Sequence, residues 1–203
     1  AAMDTGVAQT SITDFDDYKL QLNIRMGRSE KIMAKIFQKA RRNPKTIVFP
    51  EGEYPKIINA ARSLSDEGIA QPILIGKEEE IRAVAKELDI RLEGLTIVDP
   101  AKCEKSQKYI DELFRLRQRK GMDKKDAKHR MLHLNNYFGA MMVHMGDADG
   151  MISGLTTSYP KTIKPALQII GRDERYKKVS GIYVVSNKKQ SYFLADTTVN
   201  INP

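Results

Sequence analysis

From Thr46 onward, short apolar runs alternate with amphipathic stretches, and few folds accommodate that pattern. Residues 46–50, 71–75 and 95–98 are too short to be buried helices and too continuously apolar to be strands with one wet face. Between them, residues 55–67 place Ile57, Ile58, Ala61 and Leu64 at helical spacing and end at Gly68; residues 78–88 follow the same logic after Gly76. Strands that are apolar throughout must be covered on both faces, and the covering elements are the intervening helices. The expected fold class is therefore α/β: a parallel sheet with helices on both faces and right-handed connections.

Two helices are expected ahead of the first strand. Thr13 can cap one carrying Phe15, Tyr18, Leu22 and Met26, which stops at Gly27. Ser29 opens another with Ile32, Met33, Ile36, Phe37 and Ala40 on one stripe, stopped by Asn43-Pro44. Beyond the third strand, helices are expected over 106–120 and 123–134, broken at Gly121, and over 137–145, ended by Gly146. A strand at 150–153, a helix at 161–170 and a hairpin of 178–186 with 191–195 complete the reading. The organisation so implied is a connector over 1–27 with a polar, linker-like start, a main domain over 28–171, and the opening of a second α/β domain over 172–203.

Composition serves mainly to exclude. An apolar share of 41% in 203 residues supplies a core, and no apolar run reaches the length of a membrane span. With no signal peptide and a lone Cys103, which rules out an intrachain disulfide, the expected location is cytoplasmic. Lys102 and Lys105 beside Cys103 would favour a thiolate, but an ordinary thiol is the better expectation. Lysine and arginine number 34 against 26 acidic residues, a formal charge of +8. The basic clusters, such as Lys39-Ala-Arg-Arg42 and residues 115–120, lack the interleaved aromatics of a nucleic-acid surface. An anionic metabolite accounts for them better.

The stretch from Gly146 to Pro165 carries the chemistry. A strand, a loop of small residues and a helix start follow in that order, which is where open α/β sheets bind anions. Gly150 and Gly154 permit close backbone approach. Ser153, Thr156, Thr157, Ser158 and Thr162 offer hydroxyls, and Lys161 and Lys164 offer charge. A plain surface turn rich in Ser and Thr is the competing reading. The pattern is neither GxxxxGK[ST] nor GxGxxG. Asp147 and Asp149 could hold a metal, but such pairs more often brace loops. His129, His133 and His144 lack the glutamate of an HExxH set, and Met141, Met142 and Met145 read as core packing. No metal is expected in this chain.

Four segments together resemble the phosphate acetyl/butyryltransferase family: Ile47-Val-Phe-Pro-Glu-Gly-Glu53, Arg115-Leu-Arg-Gln-Arg-Lys-Gly121, the run from Tyr137 to Gly154, and Thr162-Ile-Lys-Pro-Ala-Leu-Gln-Ile-Ile170. The closing Phe193–Pro203 is similar to the segment that opens the family's remaining portion. The N-terminal Ser11-Ile-Thr-Asp-Phe-Asp-Asp-Tyr resembles the connector between the catalytic and phosphotransacetylase-like regions of bacterial NADP-dependent malic enzymes.

The resemblance implies a phosphotransacetylase fold, of the kind shared with isocitrate and isopropylmalate dehydrogenases. That fold has two α/β parts, and acetyl-CoA or CoA and an acyl phosphate would be bound in the cleft between the parts. It places Arg117 at a CoA-phosphate contact, Lys164 where a second arginine is usual, and Ser153, Gly154, Thr157, Ser158 and Thr162 in the anion-binding turn. Leu155 stands where alanine is favoured, Thr157 where histidine is common, and Tyr54 and Lys56 where an aspartate and an arginine are usual. The family's catalytic residues are expected beyond Pro203.

Three functions follow as expectations. The first is an acetyl-CoA-binding regulatory and homo-oligomerising region of a malic enzyme whose NADP and divalent metal, Mg or Mn, lie in another region. The second is an active phosphate acetyltransferase. The third is a pure assembly module, with the hairpin as a candidate subunit contact.

Overall fold

The computed structural model describes residues 28–187, 190–196 and 199; the helix expected between Thr13 and Gly27 lies outside them. The described residues fall into two compact units. Residues 39–178 form one, and residues 28–38 group with those beyond 178 in the other. Helix α1 spans Arg28–Arg42. No helix among the described residues is long and apolar enough to cross a membrane.

The larger unit is built on a parallel sheet of β1 (Lys45–Phe49), β2 (Ala70–Ile75), β3 (Thr96–Val98) and β4 (Gly150–Met151), in the order β3-β2-β1-β4. Helix α2 (Pro55–Asp66) connects β1 to β2, and α3 (Glu78–Glu87) connects β2 to β3. Helices α4 (Ser106–Arg117), α5 (Lys124–His133) and α6 (Asn135–His144) lie between β3 and β4, and α7 (Tyr159–Ile169) follows β4. The α/β class read from the alternation of elements is the observed one.

Alternation along the central strands sorts the core onto two faces. Val48, Ile73 and Ile75 pack with Tyr109, Leu113, Met131, Phe138 and Met141 of α4, α5 and α6. Their neighbours Phe49 and Leu74 pack on the opposite face with Ile58 and Ala61 of α2 and Ile81 and Ala85 of α3. Each of these strands is thus buried on both sides, which is why their sequences show no polar alternation. The methionines of α6 are core, with Met141 fully buried. Tyr109 and Phe138 meet edge-on, with ring centroids 5.1 Å apart.

Local signals explain the breaks. The expected helix over 106–120 ends its α-helical part at Arg117 and tightens into a 3₁₀ turn, Gln118–Lys120, before Gly121 turns at φ 84°. Asp123 then caps α5, its Oδ1 accepting from the Asp126 amide at 2.7 Å. Helix α6 begins at Asn135, two residues before the expected start, and α7 begins at Tyr159 rather than 161.

In the second unit, β5 (Ile182–Ser186) and β6 (Ser191–Ala195) form the expected antiparallel hairpin, with Ser186 opposite Ser191. Its turn is held by the Asn187 amide donating to the Gln190 carbonyl at 2.9 Å. The ribbon is apolar yet open: Phe193 is 75% exposed and Ile182 68%.

The tightest joint of the sheet is the turn after β1. The Gly52 amide donates to the Ile75 carbonyl at 3.1 Å, and a Cβ at Gly52 would lie 2.7 Å from that oxygen. Gly52→Ala should therefore cost about 1–3 kcal/mol, because the obstructing atoms are backbone. Phe138→Ala, removing a fully buried ring, should cost about 3–5 kcal/mol. Urea denaturation measures both, and an unchanged midpoint in either variant would contradict this packing.

Candidate functional site

The sheet order sets the place. Strand β1 has β2 on one side and β4 on the other, so the connections leaving β1 and β4 at their C-terminal ends diverge. Divergence of this kind opens a crevice at the carboxyl edge, where the backbone groups of loops are free to meet a ligand. A cavity of about 480 Å3 lies there. Its walls are Pro50, Glu51, Glu53 and Tyr54 after β1; Arg130, His133 and Leu134 at the end of α5; Asn135, Asn136 and Tyr137 opening α6; and Thr156, Thr157, Lys161, Lys164 and Pro165 after β4. A second cavity, of about 460 Å3, lies by the N-terminal ends of β1, β2 and β3 and is lined by no charged side chain.

The turn Pro50–Tyr54 organises the mouth. Glu53 Oε1 accepts from the Lys77 amide at 3.1 Å, fixing the start of α3. Glu51, 8% exposed, reaches across to the loop after β4. Its Oε2 accepts from the amides of Gly154 and Leu155, each at 3.0 Å, and from Ser153 Oγ at 3.4 Å. Its Oε1 accepts from the Thr156 amide at 2.7 Å and from Thr156 Oγ1 at 2.8 Å. Burial works to raise the Glu51 pKa, but the donations from Thr156, Leu155 and Gly154 outweigh it and hold the carboxyl below the ordinary glutamate value. Ser153 Oγ also donates to Asn136 Oδ1 at 2.8 Å, and Asn135 Nδ2 donates to the Pro50 carbonyl at 2.9 Å. The start of α6, the end of β1 and the loop after β4 are thereby tied to one another.

Positive charge comes from three helical turns. Lys161 and Lys164 project from the first half of α7, and neither has a carboxylate partner among the described residues. Arg130 is held in place: Nε donates to Asp126 at 2.9 Å, Nη1 donates to Tyr137 Oη at 2.7 Å, and the guanidinium lies 5.3 Å from the Tyr137 ring centre. Tyr137 in turn donates to Gln168 Oε1 at 2.8 Å. His133 adds a fourth group that is cationic when protonated. Pro165 takes the amide from the second turn of α7, so the Lys161 carbonyl lacks its ordinary helical donor, and the proline lines the cavity.

Of the residues singled out between Gly146 and Pro165, Thr156, Thr157, Lys161 and Lys164 line the cavity. Thr162 supports Thr157 through a hydroxyl contact of 2.8 Å. Ser158 is the N-cap residue of α7; its carbonyl accepts from the Lys161 and Thr162 amides, while its side chain makes no capping bond. Ser153 and Gly154 face Glu51 instead of the cavity. Arg117 ends α4 outside the lining residues, and Arg130 is the arginine on the wall. Arg130, His133 and the two asparagines gave no sequence motif of their own. Glu51 lies in the segment Ile47–Glu53 that resembles the family, but nothing in that segment gave it a partner.

The aspartates brace the fold. Asp149 accepts from the Thr46 amide at 2.9 Å and pairs with Lys45 at 3.2 Å, contacts that lower its pKa. Asp147 pairs with Lys105 and accepts from Tyr109 Oη. Burial would raise the Asp147 pKa, and these two partners hold it down. Among the described residues no group of three or more His, Cys, Asp or Glu side chains is placed to hold a metal ion. The arrangement suits capture of an anion by cations and hydroxyls; it pairs no nucleophile with a base.

Comparison with known proteins agrees with this architecture. Residues 31–203 match the family described as Phosphate acetyl/butaryl transferase. The phosphate acetyltransferase of Bacillus subtilis (strain 168) is 40% identical over 157 residues, covering 77% of this chain and 48% of that protein. The NADP-dependent malic enzyme of Rhizobium meliloti (strain 1021) is 32% identical over 205 residues, covering 100% of this chain and 27% of that protein. The chain thus spans about half the length of the first relative and about a quarter of the second. A crystal structure of a phosphotransacetylase from Streptococcus pyogenes superposes with a TM-score of 0.78 at 33% identity, over 85% of this chain and 53% of that one. The parallel sheet, the crevice where its connections diverge and the match over residues 31–203 lead to one conclusion: the chain belongs to the phosphate acetyl/butyryl transferase family, whose homologues include both phosphate acetyltransferases and the C-terminal region of NADP-dependent malic enzymes.

Proposed function

We propose that this chain is the acyl-CoA-binding regulatory and oligomer-forming region of an NADP-dependent malic enzyme. The whole protein would convert malate to pyruvate with NADP and a divalent metal bound in a separate catalytic region. The observation that carries the ligand class is the cavity at the carboxyl edge, with Lys161 and Lys164 unpaired beside Arg130 and His133. A CoA ester or acyl phosphate brings the negative charge those groups lack. Thr157 supplies a hydroxyl on the same wall with Thr162 behind it, Ser158 opens the helix that carries the lysines, and Ser153 and Gly154 shape the loop. Arg117, half-buried and without a side-chain partner among the described residues, is available to a more distant phosphate of an extended ligand.

The choice of malic enzyme rests on coverage. The Rhizobium meliloti relative aligns with the whole chain, including the segment before residue 31 where the family match begins. Acetyl-CoA held here would favour one state of the larger protein, and malate or NADP would then alter acetyl-CoA affinity by the same factor. The higher identity to the Bacillus subtilis enzyme favours the second reading, an active phosphate acetyltransferase transferring acetyl between acetyl phosphate and CoA.

Calorimetry with acetyl-CoA on the full-length protein should show binding, and Lys164→Ala should weaken it at least about tenfold, the scale of one charge-assisted hydrogen bond. If Lys164→Ala and Arg117→Ala both leave affinity and regulation unchanged, the chain is an assembly module only. A direct assay for acetyl-CoA formation from acetyl phosphate separates the two enzymatic readings: binding without turnover supports the regulator, and turnover supports the transferase. The exposed hairpin is proposed as the self-contact, since an open apolar ribbon is seldom left uncovered. Phe193→Lys should lower the mass measured by sedimentation, and an unchanged mass would remove the hairpin from the interface.

A further inference from the structure

The loop after β4 presents successive amides at Gly154, Leu155 and Thr156 toward one point, with the hydroxyls of Ser153 and Thr156 beside them. Such a concavity is an anion receptor by construction. It receives the Glu51 carboxylate, which arrives from the far side of the crevice on the turn after β1.

We infer that Glu51 is a positioning residue: its carboxylate acts as a built-in anion that templates the loop, leaving an incoming phosphate to be recognised by side-chain cations instead of by the loop amides. This deepens the reading of the cavity as an anion site and rests on it for the link to ligand. The argument has three parts. Glu51 is nearly buried and both its oxygens are engaged, so it has little capacity left for a ligand. The loop it fixes leads directly into Thr157, Ser158 and the first turn of α7, so the position of Lys161 follows from the position of Thr156. A tethered carboxylate also competes with free phosphate at a large effective concentration, and a phosphate entering the receptor would have to expel a negative charge into the cavity it approaches.

The remaining anion donors are therefore Lys161, Lys164, Thr157 and the guanidinium of Arg130. Charge alone would draw phosphate to either place; the occupied receptor decides between them. A shape-filling role for Glu51 would need only its volume, whereas a templating role needs its charge and both its oxygens. Chemical rescue separates those two requirements. Glu51→Ala opens the receptor to a small carboxylate, and formate has the charge and the two oxygens while formamide has nearly the same shape without them.

The experiment uses the full-length protein that contains this 203-residue chain. Amide hydrogen exchange at Gly154, Leu155 and Thr156 is followed by NMR in wild type, Glu51→Ala and Glu51→Gln, together with acetyl-CoA affinity by calorimetry. Wild type should protect all three amides. Glu51→Ala should exchange them at least about tenfold faster, the effect of losing roughly 1.4 kcal/mol of local stability, and formate but not formamide should restore protection. Acetyl-CoA affinity should fall and recover in parallel. If Glu51→Ala does not fold, Glu51→Gln carries the test, since its amide group must turn a donor either toward the Gly154 and Leu155 amides or toward the Thr156 amide and should release the set it faces. Unchanged exchange in the folded variants, or equal rescue by formamide, overturns the templating role. Loss of loop protection with unchanged acetyl-CoA affinity breaks the link to ligand. Should wild type bind no acetyl-CoA while formate still rescues the loop, the cavity reading fails and the role of Glu51 in the loop stands.

Discussion

Strand β1 is buried on both faces, and everything that distinguishes this molecule is arranged around the place where it leaves the sheet. Inside the sheet, Val48 and Phe49 satisfy opposite cores and leave no polar side chain for chemistry. At the carboxyl edge the constraint reverses. The backbone must turn, the adjacent strands run out, and their loops expose amides that need acceptors. The two glutamates of the turn supply them: Glu53 to the loop after β2 and Glu51 to the loop after β4. One short turn thus fixes two neighbouring loops, and Gly52 between them allows the backbone to lie against Ile75.

This arrangement separates two kinds of anion binding that a loop of small residues could serve equally well. The amide receptor is satisfied from within the chain, and the cavity beside it is lined by cations from α5 and α7. Lys161 and Lys164 are well suited to that place. The flexible stem of a lysine can follow a phosphate that is itself mobile. Arg130 is the rigid counterpart, its guanidinium braced by Asp126 and Tyr137 before any ligand arrives. A wall that combines one preset cation with two adjustable ones can hold an extended polyanion without a dedicated phosphate loop.

The aspartates show why motif reading stops where it does. Asp147 and Asp149 stand two apart ahead of β4, a spacing compatible with a metal or an acid–base pair. In the fold they turn to different partners, Asp147 to Lys105 and Tyr109 on the α4 side and Asp149 to Lys45 and the Thr46 amide at the head of β1. Spacing fixed their separation along the chain, and only the packing around them fixed what each one met.

Periodicity alone was enough to establish the alternating elements, the parallel sheet and the two-faced core, because burial on both sides leaves a local signature in each strand and helix. Gly121, Asp123 and the Asn187–Gln190 turn were legible for the same reason: their conformational demands are met within a few residues. The stretch with Thr157, Thr162 and Lys164 could be located as well, since it runs without interruption from the end of one strand into the first turns of the next helix. What the chain could not disclose is how residues far apart in sequence meet. Glu51 with Thr156, and Arg130 with Lys161 across the cavity, are brought together by strand order, and strand order is decided by the competition of whole surfaces for burial. That competition has no local signature, so tertiary structure alone determined which anion-binding groups are already satisfied and which are left for a ligand.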